Sequence, residues 1–94
     1  MYRLAWSGSF KRAFKKVIRK NPHLEEKIFL TLEKLVTQPF NPELKTHKLH
    51  GKLAGLWSYE VEYDCRIVFT FEKEPTTIED IIVLADIGTH DEVY

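Results

Sequence analysis

The hydrophobic pattern changes period once along these 94 residues, and that change constrains the fold more than any other feature. Between Phe10 and Val36 the spacing is helical. Phe10, Ala13, Phe14, Val17 and Ile18 fall at i, i+3, i+4, i+7 and i+8, with Lys11, Arg12, Lys15, Lys16, Arg19 and Lys20 largely on the opposite side. This stripe ends near Lys20. Asn21-Pro22 supplies a cap and a proline at the first position of a second helix, whose stripe is Leu24, Ile28, Leu32, Leu35 and Val36. Gln38-Pro39 stops it. The pattern predicts an antiparallel helical hairpin whose break is only Asn21 wide.

From Leu56 onward the period is two. Trp57, Tyr59, Val61 and Tyr63 alternate with Ser58, Glu60 and Glu62, as in a half-buried strand. Residues 65–71 form the next strand, 72–77 with Pro75 a turn, and 78–87, containing Ile81-Ile82-Val83-Leu84, a strand apolar enough to be central. Tyr2, Leu4 and Trp6 alternate ahead of Ser7-Gly8-Ser9, which predicts a short first strand, a turn and a helix N-cap. Residues 39–52, with Pro39, Asn41, Pro42 and Gly51, are expected to be mostly ordered loop. The order is therefore βααβββ, an α+β fold with the helical hairpin packed on a mainly antiparallel four-stranded sheet, residues 1–94 forming a single domain. No apolar run approaches the ~20 residues of a membrane span, and no secretory signal opens the chain. Cys65 is the only cysteine, so an internal disulfide is excluded and a cytoplasmic location is expected.

Fourteen basic and fourteen acidic residues cancel overall but not locally. Through Lys52 there are twelve basic and four acidic residues, a net charge of +8; from Leu53 there are two basic and ten acidic, a net charge of −8. A segregated basic stretch can attract a polyanion even in a neutral molecule, because salt limits the reach of the acidic half to roughly 8–10 Å. Two solvated faces that attract each other in the fold are the alternative.

Candidate chemistry gathers outside the regular elements. His47 and His50 flank Lys48 in Lys45-Thr46-His47-Lys48-Leu49-His50-Gly51-Lys52, a segment that makes a cationic pocket if it folds over the sheet and a basic surface loop if it does not. His23 fits an exposed helix position. Zinc is not expected: His47-x-x-His50 and the isolated Cys65 leave the ligand set incomplete. Arg66 stands almost alone as a base in the acidic half, inside a strand with Ile67, Val68 and Phe69. Its guanidinium needs an anion, which is either a structural partner such as Glu60, Glu62 or Asp64, or a phosphate. Gly-rich phosphate loops, nucleophile elbows and paired cysteines are absent, which disfavours nucleotide hydrolases, serine hydrolases and redox enzymes.

Taken together, the helical hairpin, His47-Lys48-Leu49-His50-Gly51 with Gly55, the strand from Glu60 to Phe69, and the ending Ile87-Gly88-Thr89-His90-Asp91-Glu92-Val93-Tyr94 resemble the RelE/ParE superfamily. These are toxins of bacterial type II toxin–antitoxin modules, and the resemblance is to the RelE/YafQ-like branch. It implies a small endoribonuclease, an mRNA interferase that enters the ribosomal A site, cuts messenger RNA and is silenced by a cognate antitoxin. His47 matches the histidine of the family's His-x-Leu-x-Gly segment, His90 the histidine after Gly-Thr, and Tyr94 the terminal aromatic. Asp64 falls at an acidic position of the YafQ branch and Arg66 at the arginine of RelE-like members. Two positions depart: Glu60 stands where the YafQ branch carries another histidine, and Asp86 where it carries an arginine.

The implied chemistry needs no cofactor and no metal. A base takes the 2′-hydroxyl proton, a cation stabilises the phosphorane, and an acid protonates the departing 5′-oxygen. His47 or Glu60 is expected as base, Arg66 with Lys48 as the phosphate hold, and His90 as acid. Tyr94 or Trp57 would stack a base, and Lys45, His50 and Lys52 would add RNA contacts. The alternative on the same scaffold is a ParE-like inhibitor of DNA gyrase, or a member that only binds its antitoxin.

Overall fold

The N-cap expected within Ser7-Gly8-Ser9 is Ser7: its Oγ accepts from the Phe10 backbone N–H at 3.0 Å, so α1 (Gly8–Lys20) follows β1 (Arg3–Trp6) without the expected turn. The computed structural model describes residues 2–42, 45–62, 64–73, 76 and 80–89. The second helix, α2 (Leu24–Thr37), starts two residues later than Pro22. Asn21 is used instead to close α1, its N–H donating to Val17 O at 2.9 Å. Leu24 N–H then donates to Asn21 O at 3.0 Å, making a tight turn before the helix proper.

Among the described residues the sheet has five strands rather than four, in the order β1-β5-β4-β3-β2. The added strand, β2 (His47–Lys48), lies in the segment expected to be loop. His47 pairs with Ser58 and Lys48 with Trp57, and Leu49 N–H extends the pairing to Leu56 O at 2.9 Å. The others are β3 (Trp57–Glu62), β4 (Cys65–Lys73) and β5 (Asp80–Gly88). β1 runs parallel to β5 and every other pairing is antiparallel. Tyr63, Glu74, Pro75, Thr77, Ile78 and Glu79 of the expected strands and turn lie outside the described residues.

One face of the sheet carries Tyr59, Val61, Ile67, Phe69, Ile82 and Leu84 against Phe10, Leu24, Ile28, Leu32 and Leu35. Each such side chain contributes about 1.5–3 kcal/mol when buried. Trp6 seats α1 by meeting Phe10 and Phe14 edge-on, with centroids 5.0 and 5.3 Å away. The other face has its own small core. Leu49 and Val68 are buried there, with Leu53, Leu56 and Ala85 packed around them. The loop after β2 thus folds over the sheet through a one-turn 3₁₀ helix (Gly51–Leu53). Gly51 (φ +67°) and Gly55 (φ +93°) bracket that turn in left-handed conformations; a Cβ at either would meet nothing within 4 Å, so backbone freedom is what they supply. The covering loop explains why Ser58, on the face expected to be polar, is fully buried. Among the described residues no helix is long and apolar enough to cross a membrane.

Tyr59 lies at the bottom of the main core, its hydroxyl donating to Gln38 O at 3.2 Å, and burial pushes its pKa up to about 12 from 10.0. A phenol harder to ionise in the folded than in the unfolded chain contributes stability that is complete below pH 10 and is lost as pH rises from 10 towards 12. Tyr59→Phe is expected to cost about 1 kcal/mol at neutral pH, from the lost hydrogen bond, and to flatten that alkaline decline. Urea titrations at pH 7 and in that alkaline window check this; an equally steep decline in the variant would show that another group governs it.

Candidate active site

Antiparallel pairing sets Glu60 of β3 opposite Arg66 of β4, and Arg66 opposite Gly88 of β5. Strand alternation puts both side chains on the face away from the helices, next to the row that contains Ser58 and Val68. Arg66 Nη1 donates to Glu60 Oε1 at 3.2 Å, and Lys45 Nζ lies 3.8 Å from Glu60 Oε2. The Arg66 and Glu60 side chains are only 16% and 15% exposed. Of the partners open to Arg66, the resident one is therefore Glu60. Glu62 instead faces Lys27 at 3.4 Å, and Asp64 is exposed.

This pair is not saturated. Among the described residues Glu60 engages the guanidinium through Nη1, and the buried Arg66 Nε has no hydrogen-bond acceptor. An unmet buried donor costs about 1–3 kcal/mol.

The backbone conformation at Lys45 directs its side chain towards Glu60. Its φ of +52° is left-handed, which costs a residue with a Cβ about 1–2 kcal/mol, and its N–H closes a turn onto Pro42 O at 3.1 Å. The chain then enters β2 with His47 opposite Ser58, on the face that carries Glu60. His47 Nδ1 lies 2.9 Å from Lys45 O. A carbonyl only accepts, so Nδ1 holds the proton, and in the neutral ring the basic lone pair is on Nε2.

Lys48 alternates to the opposite face, where its Nζ sits 5.4 Å from the centroid of the Trp57 ring. Trp57 itself packs edge-on against Phe40 and Phe71. The expected shared hold of Lys48 and Arg66 needs both on one face, but they lie on opposite faces, and the lysine beside the Arg66–Glu60 pair is Lys45. His50 and Lys52 are exposed on the covering loop. Asp64 lies apart: with Lys16, Lys20 and Asp86 it lines a cleft of about 360 Å³ between α1 and the end of β5, which Arg66, Glu60 and His47 do not line. Asp86 spends its Oδ1 on the Ile87 N–H at 2.8 Å. His90 and Tyr94 lie outside the described residues. The structure thus brings Lys45, His47, Glu60 and Arg66 together on one face. Among the described residues no three His, Cys, Asp or Glu side chains converge as metal ligands.

Sequence reasoning missed one contact and left one alternative open, whether the loop folds over the sheet. The Lys45–Glu60 contact depends on one left-handed residue and has no sequence signal. The covering loop had one: Leu49, Leu53 and Leu56 are apolar in an otherwise polar segment.

A family model described as a bacterial toxin of type II toxin–antitoxin systems, YafQ, matches residues 2–94. YafQ from E. coli strain BL21(DE3) superposes with a TM-score of 0.78 at 18% identity, covering 100% of this chain and 99% of that one. A YoeB/ParE toxin from Agrobacterium tumefaciens gives 0.74 at 23% identity, over 94% and 98%. A chain of the E. coli DinJ–YafQ toxin–antitoxin complex gives 0.76 at 20% identity, over 99% and 97%. At these identities the structural likeness shows the fold alone. No curated protein matches the sequence.

Leu49→Ala removes the main apolar anchor of the covering loop and is expected to cost about 2 kcal/mol, the low end for a buried leucine because the cluster is small. Amide exchange should speed up at Leu49, Ala54 and Leu56 while Tyr59 and Ile67 in the main core stay protected. Equal loss at both sets would mean that the loop and the core open as one unit.

Proposed function

Because this chain belongs to the YafQ family of bacterial type II toxins, we propose that it is an endoribonuclease that cleaves messenger RNA at the ribosome to inhibit translation. The observation that carries this is the grouping of two cations, Arg66 and Lys45, with His47 on the sheet face away from the helices. A phosphodiester needs those groups and little else. His47 Nε2 takes the proton of the 2′-hydroxyl, whose oxygen attacks phosphorus. Arg66 and Lys45 neutralise the charge that grows on the non-bridging oxygens. His90, at the position of the family's histidine after Gly-Thr, protonates the departing 5′-oxygen, leaving a 2′,3′-cyclic phosphate and a 5′-hydroxyl. Glu60 is the second proton acceptor on this face. His50 and Lys52 on the covering loop serve flanking phosphates and Tyr94 a base. Asp64, Lys48 and Trp57 take no part in this scheme.

The partner is a cognate antitoxin. E. coli YafQ forms a complex with DinJ, and the exposed cations of α1, Lys11, Arg12, Lys15, Lys16, Arg19 and Lys20, suit an acidic segment of such a protein. The cytoplasm, where ribosomes and antitoxin meet, is the proposed location.

Induction of the toxin followed by primer extension on cellular messages tests the activity. Cuts at codon-defined positions are expected; DNA damage without message cuts would instead assign gyrase inhibition. His90→Ala and Arg66→Ala should each slow cleavage by about 10²- to 10⁴-fold with the fold retained by circular dichroism. A folded Arg66→Ala protein that cuts at the wild-type rate would sink the phosphate assignment.

A further inference from the structure

Arg66 is the cation assigned to the substrate phosphate, yet in the free protein its guanidinium is already bonded to a carboxylate. We propose that Glu60 is a resident stand-in for the substrate phosphate, which must displace it from Arg66 and Lys45 before the site is competent. This rests on the reading of Arg66 as the phosphate-binding group.

Three observations lead to it. First, Glu60 presents its two oxygens to two different cations, Oε1 to Arg66 Nη1 at 3.2 Å and Oε2 to Lys45 Nζ at 3.8 Å. This is how two non-bridging oxygens of a phosphodiester would be shared, with the same single negative charge. Second, the pairing is poorly matched. One guanidinium N–H is used at a long distance, and among the described residues the buried Nε has no acceptor. A guanidinium can grip a carboxylate through two parallel N–H groups, whereas this one meets Glu60 through one and keeps capacity for an anion of different shape. Third, Lys45 is mostly exposed at 66% and sits on a strained left-handed residue at the entrance to β2, so one arm of the clamp opens to solvent.

The exchange has two consequences at the site. Substrate affinity is lowered by competition with an internal anion, so stray phosphate esters bind weakly. Arrival of the phosphodiester also releases the Glu60 carboxylate from both cations at the moment a proton acceptor is needed beside His47. A ligand lacking a phosphate-like anion cannot trigger that release, because it gains nothing from the two cations.

Side-chain NMR of the intact wild-type protein, titrated with inorganic phosphate, tests the exchange. The Arg66 Nε–H signal and the Glu60 carboxyl carbon should shift together with one midpoint, and Glu60→Gln, which keeps the shape and the Nη1 contact, should lower the Arg66 midpoint by about tenfold. If Arg66 responds while Glu60 stays still, or the Gln variant binds no tighter, the exchange is overturned and Arg66 remains an anion site. If neither signal moves with phosphate, the exchange falls together with the phosphate assignment of Arg66. The wild-type titration alone decides between these should the Gln variant not fold.

Discussion

The register between β3 and β4 is the constraint on which the site depends. Glu60 meets Arg66 because Trp57 meets Phe69, Ser58 meets Val68 and Tyr59 meets Ile67 on the same two strands. The inward members of those pairs belong to the main core, so a slip of one residue would turn Arg66 in under the helices and expose Ile67 and Phe69. Hydrophobic burial on one side of the sheet therefore enforces ion pairing on the other. The irregularity between Glu60 and Glu62 falls just beyond the pair and leaves this register intact.

A sheet that packs helices on one face usually leaves the other to water. Here the second face is shared between a small apolar patch and the charged group. Leu49, Leu53 and Leu56 hold the loop on Val68 and Ala85, and the polar row begins next to them. The patch has a mechanical role, since it fixes the loop that brings β2, and with it Lys45 and His47, against β3. It also lowers the local dielectric beside Arg66 and Glu60, which makes both the attraction between them and the cost of an unmet N–H larger than at an open surface.

Much of the fold was legible in the sequence because its signals are periodic and local. The Ser7 cap, both helical stripes, the alternation from Trp57 and the apolar run at Ile81 each correspond to an element of the structure. What escaped was determined by long-range pairing. β2 is two residues long and exists only because His47 and Lys48 find Ser58 and Trp57. Pro22 is an ordinary first-helix residue by local rules, yet the tight turn onto Asn21 O takes precedence. The site was legible in its residue types and less so in its partnerships. Arg66 was identifiable as a cation needing an anion, but the choice of Glu60, the substitution of Lys45 for Lys48 and the tautomer of His47 all follow from geometry.

The parallel pairing of β1 with β5 has a bearing on how the protein is made. Arg3, Leu4, Ala5 and Trp6 lie beside Ile81, Ile82, Val83 and Leu84, partners separated by almost the whole chain, while β3, β4 and β5 join neighbours. Local hairpins assemble early and distant contacts late, because closing a long loop loses more entropy before anything is gained. A nascent chain halted before β5 has emerged would contain Lys45, His47, Glu60 and Arg66 but could not seat its first strand or complete the floor under α1. Synthesis as far as β5 is thus a built-in checkpoint on when the assembled site can exist.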